Sequence, residues 1–539
     1  MFDIVIENGR IIDGTGNTWY HGEIGIEKRK IACINPHVEG ITTIDADNMV
    51  VCPGFIDMHS HTDFVLPFFN TMESYIRQGI TTCVVGMCGS GLAPIHPDRV
   101  DEFKKNASTF LPLFSDLDIT WHTFAEYMGK MELLKFPSNL AFVLGYENVR
   151  LAGGAAFENR LPTLQELETM KEYVREAMEA GSFGMSTGLI YAPQTYAQPE
   201  ELIELAAVVA RYKGLYFSHI RGEGETVIDA VKEFIRIVEE SGCRGGQIAH
   251  LKVSGRPFWG KSREVLQLIE EANNRGINVT FDSYPYNRGC SSLVTALPPW
   301  VHEGGPEKIM ERLRNPDIQE RIRREITNGL KYESWENWIK VNGFDHLFIS
   351  TAHTKKWKKM EGKSISEITR MKGLSSDWET LFDILIDEEL GVQITLETMD
   401  EEDIRRIMTN KYQMVGTDGM GIPHDPSLGG FHPRFYGTFP RILGKYVREE
   451  KVLTLEDAVR RMTSFPAQRL GLKDRGLLKE NMWADIVIFN PDTVIDKATF
   501  EEPHQFPEGI FYVLVNGEIV VEDGDQVKRY PGKILKHST

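Results

Sequence analysis

The chain has 539 residues and sets 60 Lys+Arg against 78 Asp+Glu, a formal net charge of −18. That balance offers no basic excess for a phosphate backbone or an anionic bilayer, which argues against nucleic-acid and membrane partners; 41% hydrophobic and 26% charged residues describe a folded globular chain. No apolar run nears the ~18–20 residues of a membrane span, the start MFDIVIENGRIIDG has no signal-peptide pattern, and six scattered cysteines without a CxxC pair suit the reducing cytoplasm.

Residues 1–52 are short β-patterned runs (DIVIENGRII, GEIGIE, KIACI, TTIDAD) separated by turn signals. Residues 471–539 repeat the style in ADIVIF and YVLVNGEIVVEDG. The Asn-Gly pairs of ENGRII and VNGEIVV predict two hairpins of one small β-sandwich domain built from both termini. Residues 53–470 would then be inserted between its halves.

In that middle stretch, helical periodicity alternates with β-rich runs. LPTLQELETMKEYVREAMEAG, PEELIELAAVVARYKG, ETVIDAVKEFIRIVEESG and SREVLQLIEEANNRG each end at glycine, which supplies the left-handed residue of a helix C-cap. SFGMSTGL, LYFSHI, GQIAHL and INVTFDSY follow them. His219 lies 31 residues before His250, and His250 lies 32 before Asp282, close to a βαβ repeat. With PGFIDMHSH, ITTCVVGMC, NLAFVLGY and QMVGTD the strands number eight, so the expected α/β fold is a (β/α)8 TIM-like barrel. Tyr286 and Asp418 are 132 residues apart where one unit needs ~30. The surplus, about residues 290–410, is expected to be a helical insertion near the barrel mouth.

His59 and His61 stand two apart, and on a strand such residues share a face. Cys88, His219, His250 and Asp418 each close a run assigned to a barrel strand. Barrel active sites lie at the C-terminal ends of the strands. Four imidazoles, one thiol and one carboxylate there would form the ligand set for one or two divalent metals, with zinc the natural match.

PGFIDMHSHTD, GMCGSGLAP, GMSTGLIYAP, YFSHIRGEGE, QIAHLKVSG, FDSYPY, LPPW, GTDG and HPRFYGTFPRILGKYVRE together resemble the D-aminoacylase (N-acyl-D-amino-acid deacylase) family of the amidohydrolase superfamily, over about residues 50–470. The resemblance implies zinc-dependent hydrolysis of an N-acyl-D-amino acid, a small-molecule substrate, to the D-amino acid and a carboxylate. It implies one tight Zn2+ site at His219 and His250, a second, weaker site at His59, His61 and Asp418, and Cys88 as the bridging ligand. Many superfamily relatives bridge with a carboxylated lysine after the fourth strand; SFGMSTGL has none. Asp418 is the implied catalytic acid–base group. Arg434, Lys252 and Tyr191 are the implied carboxylate binders, with Tyr284, Ser291 and Ser292 as helpers. Arg288 in YNRGCSS reads first as a turn residue and second as a partner for an acidic substrate side chain. His353 competes for the metal but matches no family ligand, and His96, His424 and His432 are expected in loops or behind the ligands. The rival readings are a cyclic-amide hydrolase of the hydantoinase or dihydroorotase type, a D-specific peptidase, and a non-catalytic scaffold of the same fold. The segment GTDGMGIPHDPSLGGFHPRF is longer and richer in glycine than the family pattern.

Overall fold

The computed structural model describes residues 1–34, 39–329, 335–430 and 432–538. It is an α/β structure in which all eight expected central strands are present. Phe55–Asp57, Ile80–Val85 and Asn139–Phe142 pair in parallel, and Ile534–Leu535 adds to the outer edge of Asn139–Phe142. A second parallel sheet runs Leu144–Gly145, Gly184–Gly188, Leu215–His219, Gly245–Ile248, Val279–Ser283 and Gln413–Val415. Only Val143 separates Asn139–Phe142 from Leu144–Gly145. At the other seam, Met58 N–H donates to the Val415 carbonyl at 3.1 Å and Asp418 N–H to the His59 carbonyl at 2.8 Å.

The helices between these strands start and stop for local reasons. Leu164–Ala180 opens on a capping box, in which the Thr163 hydroxyl accepts from Glu166 N–H and the Glu166 carboxylate accepts from Thr163 N–H. Its buried Met170, Val174, Ala177 and Met178 recur at helical spacing, and Gly181 ends it at φ 107°. Gly242 does the same after Val227–Ser241. After Pro199–Arg211, however, Lys213 takes the left-handed position at φ 57°. Gly214 serves another purpose there: a Cβ on it would lie 2.6 Å from Val209 Cγ1.

Nine strands from the two terminal regions form one sheet. Val50–Pro53 pairs in parallel with Phe2–Ile11 and antiparallel with Ile486–Phe489, which joins the two regions. Of the two expected Asn-Gly hairpins, one exists: Asn516 and Gly517, both at positive φ, turn Ile510–Val515 into Glu518–Glu522. Asn8-Gly9 instead lies inside Phe2–Ile11, where Asn8 at φ 62° accompanies a register shift between Ile6 and Gly9. The same left-handed preference that makes a hairpin turn makes a bulge here.

The extra segment is not purely helical. Its helices, among them Pro306–Leu313, Pro316–Asn328, Ile365–Lys372 and Asp377–Asp387, accompany a three-stranded antiparallel sheet of Arg288–Ser292, Gln393–Glu397 and Leu347–Thr351. Leu313, Ile326, Ile349, Trp357, Leu381 and Ile394 belong to its own apolar core.

Candidate active site

The six expected metal ligands converge. His59, His61, Cys88 and Asp418 form one group of potential ligand atoms, and Cys88, His219 and His250 form a second that shares the thiol. Cys88 Sγ lies 3.3 Å from His59 Nε2, 3.4 Å from His250 Nε2 and 3.8 Å from His219 Nδ1. Asp418 Oδ1 lies 3.4 Å from His59 Nε2 and 3.3 Å from His61 Nε2.

Strand ends position these side chains, though not by the alternation expected for His59 and His61. The first strand stops at Asp57, and both histidines sit beyond it, His61 leading into the turn Thr62–Val65. The buried Asp57 carboxylate holds this exit, accepting from His59 N–H at 3.1 Å, Thr417 N–H at 2.8 Å and the Thr417 hydroxyl at 2.7 Å. Burial pushes the Asp57 carboxyl up to about 7 against these bonds. Three of the candidate ligands occupy left-handed backbone: Cys88 at φ 54°, His250 at φ 33° and Asp418 at φ 51°. Such strain clusters where surrounding structure dictates the geometry. Gln194 holds the Cys88 turn, donating to the Cys88 carbonyl at 3.1 Å and accepting from Gly188 N–H at 2.6 Å.

Behind the ligands stand two carboxylates. Asp282 Oδ1 is 3.2 Å from His59 Nδ1 and accepts from His250 N–H at 2.7 Å. Glu223 Oε1 gathers three cationic or imidazole neighbours: Lys252 Nζ at 2.6 Å, His250 Nδ1 at 3.2 Å and His219 Nε2 at 3.3 Å. Burial raises the Glu223 carboxyl, but Lys252 and His219 outweigh it and hold the group well below the usual range. Carboxylates that fix the outer nitrogen of a ligating imidazole orient the ring and raise its basicity. Neither residue was singled out as functional from sequence. Glu223 had one legible signal, a carboxylate four residues after His219 in HIRGEGE.

The electrostatics favour the ionised forms of Cys88 and Asp418. Burial pushes the Cys88 thiol up, yet His59 and His250 bring it well below its ordinary value. Burial likewise raises Asp418, while Arg434, His250 and His59 hold it well below the carboxylate range. Arg434 Nη1 is 2.8 Å from Asp418 Oδ2, and its guanidinium stands 4.8 Å over the Tyr284 ring. His432 Nδ1 accepts from Arg434 N–H at 3.0 Å and so stands behind the site. His96, His353 and His424 belong to neither ligand group.

All six expected substrate-binding residues, Arg434, Lys252, Tyr191, Tyr284, Ser291 and Ser292, line one cavity with His61, Cys88, His219, His250 and Asp418. Lys252 enters it already paired with Glu223, its Nζ lying 2.7 Å from His250 Nδ1. Tyr191 packs edge-on against the His219 ring, centroids 5.1 Å apart.

The Amidohydrolase family model matches residues 42–275 and 352–521. The D-aminoacylase of Alcaligenes xylosoxydans xylosoxydans is 32% identical over 99% of this chain and 97% of its own length. The N-acyl-D-glutamate deacylase of the same organism is 34% identical over 99% and 96%. Among solved structures, the N-acyl-D-glutamate deacylase of Bordetella bronchiseptica, complexed with zinc and a phosphonate mimic of the tetrahedral intermediate, superposes with a TM-score of 0.82 at 32% identity, covering 99% of each chain.

Proposed function

The chain belongs to the amidohydrolase family, in its D-aminoacylase branch, and from that premise we propose how its own residues carry the reaction. It is a zinc-dependent amidohydrolase that cleaves N-acyl-D-amino acids into a D-amino acid and a carboxylate. The observation that carries the assignment of roles is the Cys88 thiol shared by two ligand groups, one of which contains a carboxylate tied to a buried arginine.

The donor set fits zinc: one thiol held low by imidazoles, four histidines and one carboxylate. Cys88, His219 and His250 would hold the tight site, and His59, His61 and Asp418 the weaker one, with Cys88 between them. When bound, zinc polarises the scissile carbonyl and lowers the pKa of water toward neutrality. Asp418 accepts the proton of the attacking water and returns it to the leaving nitrogen. Arg434 grips the α-carboxylate of the substrate, assisted by Tyr284, Tyr191, Ser291 and Ser292. That grip draws the guanidinium from Asp418 Oδ2 and makes the carboxylate a stronger base when substrate is present. Lys252 adds positive potential to the same wall while holding Glu223 in place.

We further read the two parallel sheets as one (β/α)8 barrel, supported by chain continuity through Val143 at one seam and by hydrogen bonds at the other. Its domains divide as residues 53–470 for the barrel, with an insertion of about 290–410, and 1–52 with 471–539 for the β domain. Six free cysteines favour the cytoplasm. Among the described residues no helix is long and apolar enough to cross a membrane. The deciding experiment is hydrolysis of matched N-acetyl-D and N-acetyl-L amino acids by zinc-loaded protein. Turnover confined to D compounds is expected, and its absence across a broad D panel would overturn the reading.

A further inference from the structure

The turn that carries Glu223 is held by a distant part of the chain. Leu215–His219 ends at a candidate ligand, and the chain then runs through Arg221, Gly222, Glu223 and Gly224 before entering Val227–Ser241. The Glu223 carboxylate meets His219, His250 and Lys252. Its backbone is bound separately. The carbonyl accepts from Ser254 N–H at 2.7 Å, and the N–H donates to Glu336 Oε1 at 2.5 Å. Gly224 N–H donates to the same Glu336 oxygen. The two glycines of RGEGE permit this close packing: a Cβ on Gly222 would meet Thr226 Oγ1 at 1.9 Å, and one on Gly224 would lie 2.6 Å from the Ser254 carbonyl oxygen.

Glu336 comes from the inserted segment. It stands just before Trp338–Asn342, and its neighbours Trp335, Trp338 and Ile339 are buried in that segment's own apolar core. The Glu336 carbonyl accepts from Trp338 N–H at 2.9 Å. Burial and the nearby Glu223 carboxylate push the Glu336 carboxyl up to about 7, while the N–H groups of Gly224 and Glu223 draw it down. Solvation disfavours an acid at such a place. What it gains there is two successive backbone donors converging on one oxygen.

We propose that Glu336 is a positioning residue for the zinc site: by fixing the Glu223–Gly224 turn it aims the Glu223 carboxylate at the outer nitrogens of His219 and His250. Tight metal binding then depends on the inserted segment being seated. The proposal rests on the zinc-site reading and extends it. A carboxylate orients a ligating imidazole only while its own position is held, to within about 0.5 Å. Here the hold on its backbone comes from Ser254 on one side and Glu336 on the other.

Zinc affinity of the full chain, read by chelator competition, tests this. Glu336→Ala is expected to bind zinc about tenfold more weakly, the lower end of the loss when an orienting partner is removed. Affinity equal to wild type overturns the proposal. Glu336→Gln keeps an acceptor oxygen and should lie nearer wild type than Glu336→Ala does; Glu336→Gln as weak as Glu336→Ala overturns the role of that oxygen. Because Glu336 acts through Glu223, adding Glu336→Ala to Glu223→Gln should weaken zinc little beyond Glu223→Gln alone, whereas fully additive losses overturn that route. Ser364→Ala, which removes the cap of Ile365–Lys372 elsewhere in the insertion, separates positioning from loosened packing. Its zinc affinity should match wild type, and a loss equal to that of Glu336→Ala overturns the proposal. Should Glu336→Ala fail to fold, Glu336→Asp, which draws the oxygen back by one methylene, takes its place with the same two outcomes. If wild type binds no zinc, the zinc-site reading falls and this proposal with it; zinc bound equally by wild type and variant overturns this proposal alone.

Discussion

In the proposed mechanism Asp418 has two roles, as a metal ligand and as the acid–base group. Asp418→Asn keeps the shape but removes proton transfer, so kcat should fall about 10³-fold. Metal analysis of the same variant should still find zinc at Cys88, His219 and His250; retained turnover would remove Asp418 from the acid–base role. Glu223→Gln tests the support behind the ligands. It leaves Lys252 without its carboxylate and weakens the hold on both imidazoles, and zinc affinity should drop about 10- to 100-fold in a chelator competition. The convergence of the six candidate ligands was legible because each follows a strand that periodicity reveals. Asp282 and Gln194 were not, because a carboxylate or amide near a strand end looks the same whether it orients a ligand or faces water; Glu223 had only its place four residues after His219. Nor does any local pattern announce that Cys88, His250 and Asp418 adopt positive φ, since none is glycine or asparagine.

Elements built on local rules were the readable ones. The helix Leu164–Ala180 has its capping box, its apolar stripe and its terminal glycine written in sequence. Thr163→Ala should cost about 1 kcal/mol, read as a fall in the denaturant midpoint without a change in slope. The Glu166 carboxyl at the same cap is drawn down to about 2, first by Arg160. Because its folded pKa lies below the ordinary 4.5, its contribution is full above that value and fades as pH falls toward about 2. The stability gap between wild type and Glu166→Gln should therefore be present at pH 7 and close in the acid range. Less legible were features set by distant partners. The three-stranded sheet within residues 290–410 pairs segments about 50 to 100 residues apart, and no turn signal links them. The Asn8-Gly9 pair has hairpin chemistry but lacks a returning strand directly after it.

At the scale of the molecule, the −18 charge and the cation-seeking site coexist because the fields of partnered side chains are local, and surface carboxylates are screened within about 10 Å at 0.1 M salt. The last described segment also has a task. Ile534–Leu535 covers the edge of Asn139–Phe142, Gly532 N–H donates to the Phe136 carbonyl at 2.9 Å, and Asn516 donates to the Pro531 carbonyl at 2.8 Å. Removing residues 527–539 should lower the Tm by about 2 °C, as two or three net hydrogen bonds would in a chain of this length. The terminal sheet has a different consequence, in time. Val50–Pro53 leaves the ribosome early, yet its neighbour Ile486–Phe489 is made ~430 residues later, ~20–90 s at ordinary synthesis rates. Throughout that interval the nascent chain presents an unpaired β-edge, a docking place for chaperones and a hazard for neighbouring chains on the same message.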